Sequence, residues 1–128
     1  VTHAYYHAVS SAKKWGGEPE DYIHIHEAMD ESRRHVPDKR HRFLYHHSAG
    51  IEVMVKRFGP TVTNSRGRKV PTAHICEQHI TEDCGFVPSL QDWLDCMAPP
   101  RWGSPKAKLL FDSFQPTLET EDDLQLQP

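Results

Sequence analysis

A chain of 128 residues with a formal charge of −3 and 37% hydrophobic residues fits one domain with a single modest core. That charge gives no global pull toward nucleic acid or an acidic membrane, so either partner would need a local patch. No run approaches the roughly eighteen apolar residues that a bilayer span needs, and the start VTHAYYHAVSS lacks the charged and apolar segments of a signal peptide.

Helical spacing begins at Thr2, a candidate cap, and continues to Lys14, where Trp15-Gly16-Gly17 stops it. The acids of EPED then suit the start of a second helix from about Asp21 to Arg34. Val36-Pro37-Asp38 breaks the chain again, and a third and longest helix is expected from about Asp38 to Phe58, closed by Gly59-Pro60. Thr61 to Val70 has β-branched arms around a turn-rich NSRG centre and reads as a small hairpin.

Pro71 opens a fourth helix, PTAHICEQHITED, which Gly85 closes. Ser89 and Asp92 resemble a capping box for a short fifth helix, SLQDWLDCM. The expected fold is therefore mainly α: a compact bundle of about five helices with a small β-hairpin, over residues 1–97. Residues 98–128 are proline-rich and then acidic, and read as an extended or disordered tail, with Leu109 to Phe114 able to dock on the body.

Ten histidines are the most informative feature. On a helical wheel the third helix gathers Leu44, His47, Ile51, Met54, Val55 and Phe58 in one stripe, which turns His47 inward, leaves His46 at its border and puts His41 on the other flank. In the second helix Tyr22, Ile25 and Met29 form the apolar face, with His26 and Asp30 stacked beside it at i,i+4. The fourth helix repeats the pattern, with Ile75, Cys76 and Ile80 inside and His79 and Asp83 in the same arc. His3 and His7 are expected on an exposed face, His35 and His74 at the surface or in caps, and Trp15 and Trp93 as core anchors.

Three inward imidazoles in one small core need partners, either a metal ion or carboxylates. Mixed His/Asp ligation without cysteine suits an open catalytic centre for zinc, manganese, iron or nickel. The competing reading makes these residues satisfied core histidines in a hydrogen-bond network. Cys76, Cys84 and Cys96 fit neither a disulfide framework nor a zinc knuckle, so reduced thiols in a cytoplasmic protein are expected. Arg66 and Arg68 in SRGRK can form a cationic lip for a phosphate, or simply a solvated hairpin tip.

The run KWGG…HIHEAMDES…RHRFLYHHSAGI…EQHITEDCG resembles a family of small phage and bacterial proteins of unknown function, over residues 3–97. A looser resemblance is to the HD-type metal phosphohydrolases, whose ligands run as a histidine, an adjacent His-Asp dyad on a later helix and a distant aspartate. Under that resemblance His26 takes the first place, His46-His47 the dyad, and Asp83 or His79 the last. His47 stands where that family has aspartate.

Two functions are carried forward. The first is a metal-dependent hydrolase of a phosphate ester, notably a nucleotide, with His26, His46, His47, His79 and Asp83 as metal ligands. In it Asp30 or Glu77 handles the water, and Arg66 and Arg68 steady the phosphates. The second is a non-catalytic phage or bacterial accessory protein that engages a protein partner through its arginines or its tail. Homo-oligomerisation is compatible with both, and the charge balance disfavours direct nucleic-acid binding.

Overall fold

Small side chains at Ala4, Ala8 and Ser11 recur at helical spacing and give the first helix a flat buried face against which other helices can approach closely. In the computed structural model, which describes residues 3–97, this helix is α1 (His3–Trp15). It is followed by α2 (Ile23–Met29), α3 (Ser48–Phe58), an antiparallel hairpin of β1 (Thr61–Thr63) and β2 (Lys69–Pro71), α4 (Thr72–Cys84) and α5 (Leu90–Asp95). The mainly helical architecture with five helices and one hairpin is thus as the sequence predicts. The Thr2 cap and the expectations for the tail from residue 98 lie outside the described residues.

The core is built where α4 packs against α1, α2 and α3. Ala8, Tyr22, Ile25, Met29, Met54, Ile75, Cys76 and Ile80 are buried there, each of the larger ones contributing about 1.5–3 kcal/mol through area removed from water. The hairpin pairs Val62 with Val70 and turns Val70 into this core. Its tip is closed by Asn64, whose Oδ1 accepts from the backbone of Arg66 and Arg68 and whose amide donates to the Tyr22 hydroxyl.

Two expected helices are shorter than their patterns. The second is interrupted: α2 ends at Met29, with 3₁₀ turns at Pro19–Asp21 and Glu31–Arg34 on either side. The third does not begin at Asp38. Lys39–Phe43 is a 3₁₀ turn capped by Asp38, which accepts from the Arg40 backbone, and α3 starts only at Ser48. His47 is the residue that divides them, with an extended backbone and a side chain that accepts from Gly50 N–H at 3.0 Å. The chain folds back so tightly here that a Cβ at Gly50 would collide with the Tyr45 carbonyl. A wheel drawn through His47 therefore fails, and Leu44, expected in the core stripe, is 44% exposed.

The Ser89–Asp92 capping box forms in both directions. No residue of α5 is buried, but Trp93 is half-buried and donates from Nε1 to the His46 carbonyl at 2.8 Å. Among the described residues no helix is long and apolar enough to cross a membrane.

Candidate metal centre

Asp30 caps the C-terminal end of α2. Within the last turn and a half of α4, His79 and Asp83 stack at i,i+4. The turns that replace the start of the third helix supply His41 and His46. These elements converge so that one donor atom from each of Asp30, His46, His79 and Asp83 lies within 4.8 Å of all the others. His46 Nε2 is 2.8 Å from Asp83 Oδ2 and 3.5 Å from Asp30 Oδ1; His79 Nε2 is 3.3 Å and 3.2 Å from the same two atoms.

An ion bound at about 2.1 Å requires neighbouring donors about 3.0 Å apart in an octahedral arrangement and about 3.4 Å in a tetrahedral one. The observed nitrogen–oxygen separations fall around those values. Both imidazoles are wholly buried, while the Asp30 and Asp83 side chains are 10% and 13% exposed, so among the described residues the solvent-facing part of the cage is its carboxylates.

Both carboxylates stay ionised in spite of their burial. Burial would raise the Asp30 carboxyl, yet hydrogen bonds and proximity to His79, His46 and His41 hold it down at about 2. Asp83 is likewise held far below the ordinary carboxylate range, against its burial, by His46, His7 and His79. At His46 burial outweighs the Asp83 bond and lowers the pKa, so the ring is neutral. Burial, with His79 and His7 nearby, pushes His26 down to about 2.

His7 is the exception. Burial acts to lower it, but Asp83 at 3.1 Å and Glu82 at 2.8 Å prevail and raise it. Asp83 thus faces the His7 ring and, at 3.7 Å, Arg42. Asp30 has no such company: among the described residues the side chains on its carboxylate are His41, His46 and His79. The His41 ring donates from Nδ1 to the Asp38 carbonyl at 2.7 Å. Its Nε2 lies 3.1 Å from Asp30 Oδ1.

Of the ligands expected from sequence, the structure brings His46, His79 and Asp83 together and adds Asp30, which the sequence suggested for a role toward water. It does not bring His26 or His47 to the cage. His26 is buried behind it, with Nε2 on the Ser11 hydroxyl at 2.8 Å and Nδ1 on His79 Nδ1 at 2.9 Å. His47 points inward as expected, but Nδ1 accepts from Gly50 and Nε2 donates to the Leu44 carbonyl, which leaves no nitrogen for an ion.

Glu77 is exposed and lines a cavity of about 540 Å³ between α1 and α4, with Lys14, Trp15 and His74. Arg66 packs over Gly16 and Arg68 reaches the Trp15 carbonyl, so both belong to the hairpin tip.

Three participants escaped sequence reasoning. His7 was expected outside, because Tyr5 and Val9 suggested the inner face; the small-residue stripe Ala4, Ala8, Ser11 was the better signal. His41 depended on the helix break at His47. Glu82 follows from His7, whose Nδ1 it holds.

The fold and this centre define a mainly helical, histidine-rich domain with a buried cage of two imidazoles and two carboxylates suited to a divalent cation. A family described as a domain of unknown function, DUF6915, matches residues 2–103, and the chain belongs to that family. No curated protein and no solved structure matches it.

Proposed function

We propose that the protein is a divalent-metal-dependent hydrolase of a phosphate ester, with nucleotides as the substrate class to screen first. The observation that carries this reading is the convergence of His46, His79, Asp30 and Asp83 at separations fit for coordination, around an Asp30 carboxylate that among the described residues is met by imidazoles alone. Those four residues would hold the ion; zinc, manganese, iron or nickel suits such nitrogen and oxygen donors without thiolate. A bound ion of this kind acidifies water and polarises a phosphoryl oxygen.

Around it the chain supplies orientation and charge. Asp30, nearly enclosed and ionised, can accept a hydrogen bond from a water held at the cage. Arg42 donates to the Asp83 carbonyl at 3.2 Å and its Nε has no partner among the described residues, so it replaces Arg66 and Arg68 as the cation placed to meet an anionic group. Of the places the HD-type resemblance assigns, the cage keeps His46, His79 and Asp83 and loses two, since His26 and His47 lie outside it. The free thiols Cys76, Cys84 and Cys96 support a cytoplasmic setting, in a bacterium or an infected host.

The first experiment is elemental analysis of untagged protein purified without chelator, beside His46→Ala and His79→Ala. About one equivalent of a transition metal in the wild type, lost in both variants, supports the centre. Metal-dependent release of phosphate from a nucleotide or an aryl phosphate would then establish the activity. The depth of the cage favours one alternative, a non-catalytic accessory protein in which the same residues hold the helices together. Stoichiometric metal without turnover on any phosphate ester selects it, and absence of metal uptake discards the hydrolase.

A further inference from the structure

Behind the cage a chain of buried polar groups runs from α4 through α1 and α2 and back to α4. Gln78 directs its amide N–H groups at two acceptors, the His7 carbonyl at 2.9 Å and Glu82 Oε1 at 2.8 Å. This fixes the Gln78 orientation and leaves Oε1 as an acceptor. The Ser11 hydroxyl lies 2.6 Å from that oxygen and 3.1 Å from the His7 carbonyl. Neither can donate, so the one hydroxyl hydrogen goes to them and the Ser11 oxygen must accept from His26 Nε2.

His26 is fully buried and, among the described residues, its ring bonds only to the Ser11 hydroxyl and to His79, with no carboxylate to hold a second hydrogen, so its Nδ1 is bare. Its neighbour at 2.9 Å is another Nδ1, that of His79. Two bare nitrogens at that distance repel, so the hydrogen between them belongs to His79. With Nδ1–H committed, Nε2 is the His79 nitrogen left to face Asp30 and Asp83, and the one a cation seated between them would meet.

We infer that Gln78, Ser11 and His26 are positioning residues that set the tautomer of His79 and hold its Nε2 lone pair toward the bound cation. Metal-ligating histidines characteristically donate their other ring N–H to a fixed acceptor. Here that acceptor is a second histidine, whose own tautomer is set by a serine and a glutamine two residues further along the chain of bonds. The inference rests on the metal reading above.

Two measurements on the full chain test it separately. Long-range ¹H–¹⁵N imidazole spectra of metal-free wild type report tautomers directly, with no ion needed. Nε2–H on His26 and Nδ1–H on His79 support the relay, and a His79 ring without a hydrogen on Nδ1 overturns it. Titration with Co²⁺, followed by its visible absorption, then compares wild type with Ser11→Ala, Gln78→Leu and Ser11→Thr.

The expected result is about a 10- to 100-fold weaker affinity in Ser11→Ala and Gln78→Leu, the range for lost outer partners of a metal ligand, and recovery in Ser11→Thr, which keeps the hydroxyl. His79 in Ser11→Ala should also show mixed tautomers. Unchanged affinity and tautomer in a folded Ser11→Ala or Gln78→Leu overturns the relay while leaving the metal centre standing. No Co²⁺ uptake by the wild type overturns the metal centre, and the relay's role with it.

Discussion

His46 Nε2 meets Asp83 Oδ2 at 2.8 Å, joining a turn that carries no regular helix to the last full turn of α4. The bond is made by a wholly buried ring and a carboxylate that stays ionised, and it sits at one edge of the four-donor cage. Replacing either partner should therefore affect an ion more than the fold. In His46→Ala or Asp83→Asn, we expect zinc to lose its stabilising effect on thermal unfolding. In the wild type, zinc at about a hundred times its Kd should add about 2.7 kcal/mol. An equal zinc-induced shift in the variants would sink the assignment of these donors.

His47 provides the contrasting case. Its two nitrogens cap α3 and hold the Leu44 carbonyl, so His47→Ala should cost about 1 kcal/mol, the usual magnitude for a lost N-cap, with metal affinity unchanged. Asn or Ser at this position should restore much of that stability. A His47→Ala protein that folds but no longer takes up metal would contradict the cage as drawn.

Acid should destabilise the metal-free protein from two sources acting in one direction. His26, held at about 2, and His46, also lowered, are neutral when folded but take up protons once unfolded. Their effect begins as the pH falls below about 6.5 and reaches about 2 kcal/mol at pH 5 for a ring that stays neutral in the fold.

Asp30, held at about 2, and the similarly lowered Asp83 contribute stability that is present above the unfolded carboxylate pKa and lost as pH falls through the folded one. Their losses fall below about pH 4. His7 is raised and opposes this trend near neutrality, where its stabilisation fades with rising pH. Urea midpoints in chelator should thus be lower at pH 5 than at pH 7. A higher midpoint at pH 5 would mean that the inner histidines are charged in the fold.

Gly50→Ala tests the fold-back before α3. The added Cβ meets the Tyr45 backbone rather than a yielding side chain, so the first turn of α3 must move. We expect a loss of about 1–3 kcal/mol, in the range of overpacked interiors, measured by denaturant unfolding, together with weaker metal uptake because His46 is carried by the same turn. A neutral substitution would show that this approach is looser than it looks.

The sequence disclosed much of this because α1, α4 and the hairpin are governed by local rules. Glycines end α1 and α4, Asn64 shapes the hairpin tip, and the i,i+4 pair His79–Asp83 lies on one face wherever that helix forms. The segment from Asp38 to His47 was opaque for a physical reason. Its residues carry an acceptable helical pattern, but tertiary bonds override it: Ser32 donates to the His41 carbonyl, His41 reaches Asp30, and His47 spends its ring on Gly50. His7 was hidden by the assumption that the larger side chains mark the inner face, whereas α1 is buried along its smallest ones.

The cage spans the chain as well as the core. The Asp30–His79 and His46–Asp83 contacts close loops of 49 and 37 residues, in a body whose cysteines are all unpaired. An ion seated there would act as a clasp, replacing with a few coordinate bonds the covalent cross-links that small domains often use to restrict the unfolded chain. Folding and metal supply would then be one coupled equilibrium, and the amount of folded protein in a cell would track the free concentration of the ion.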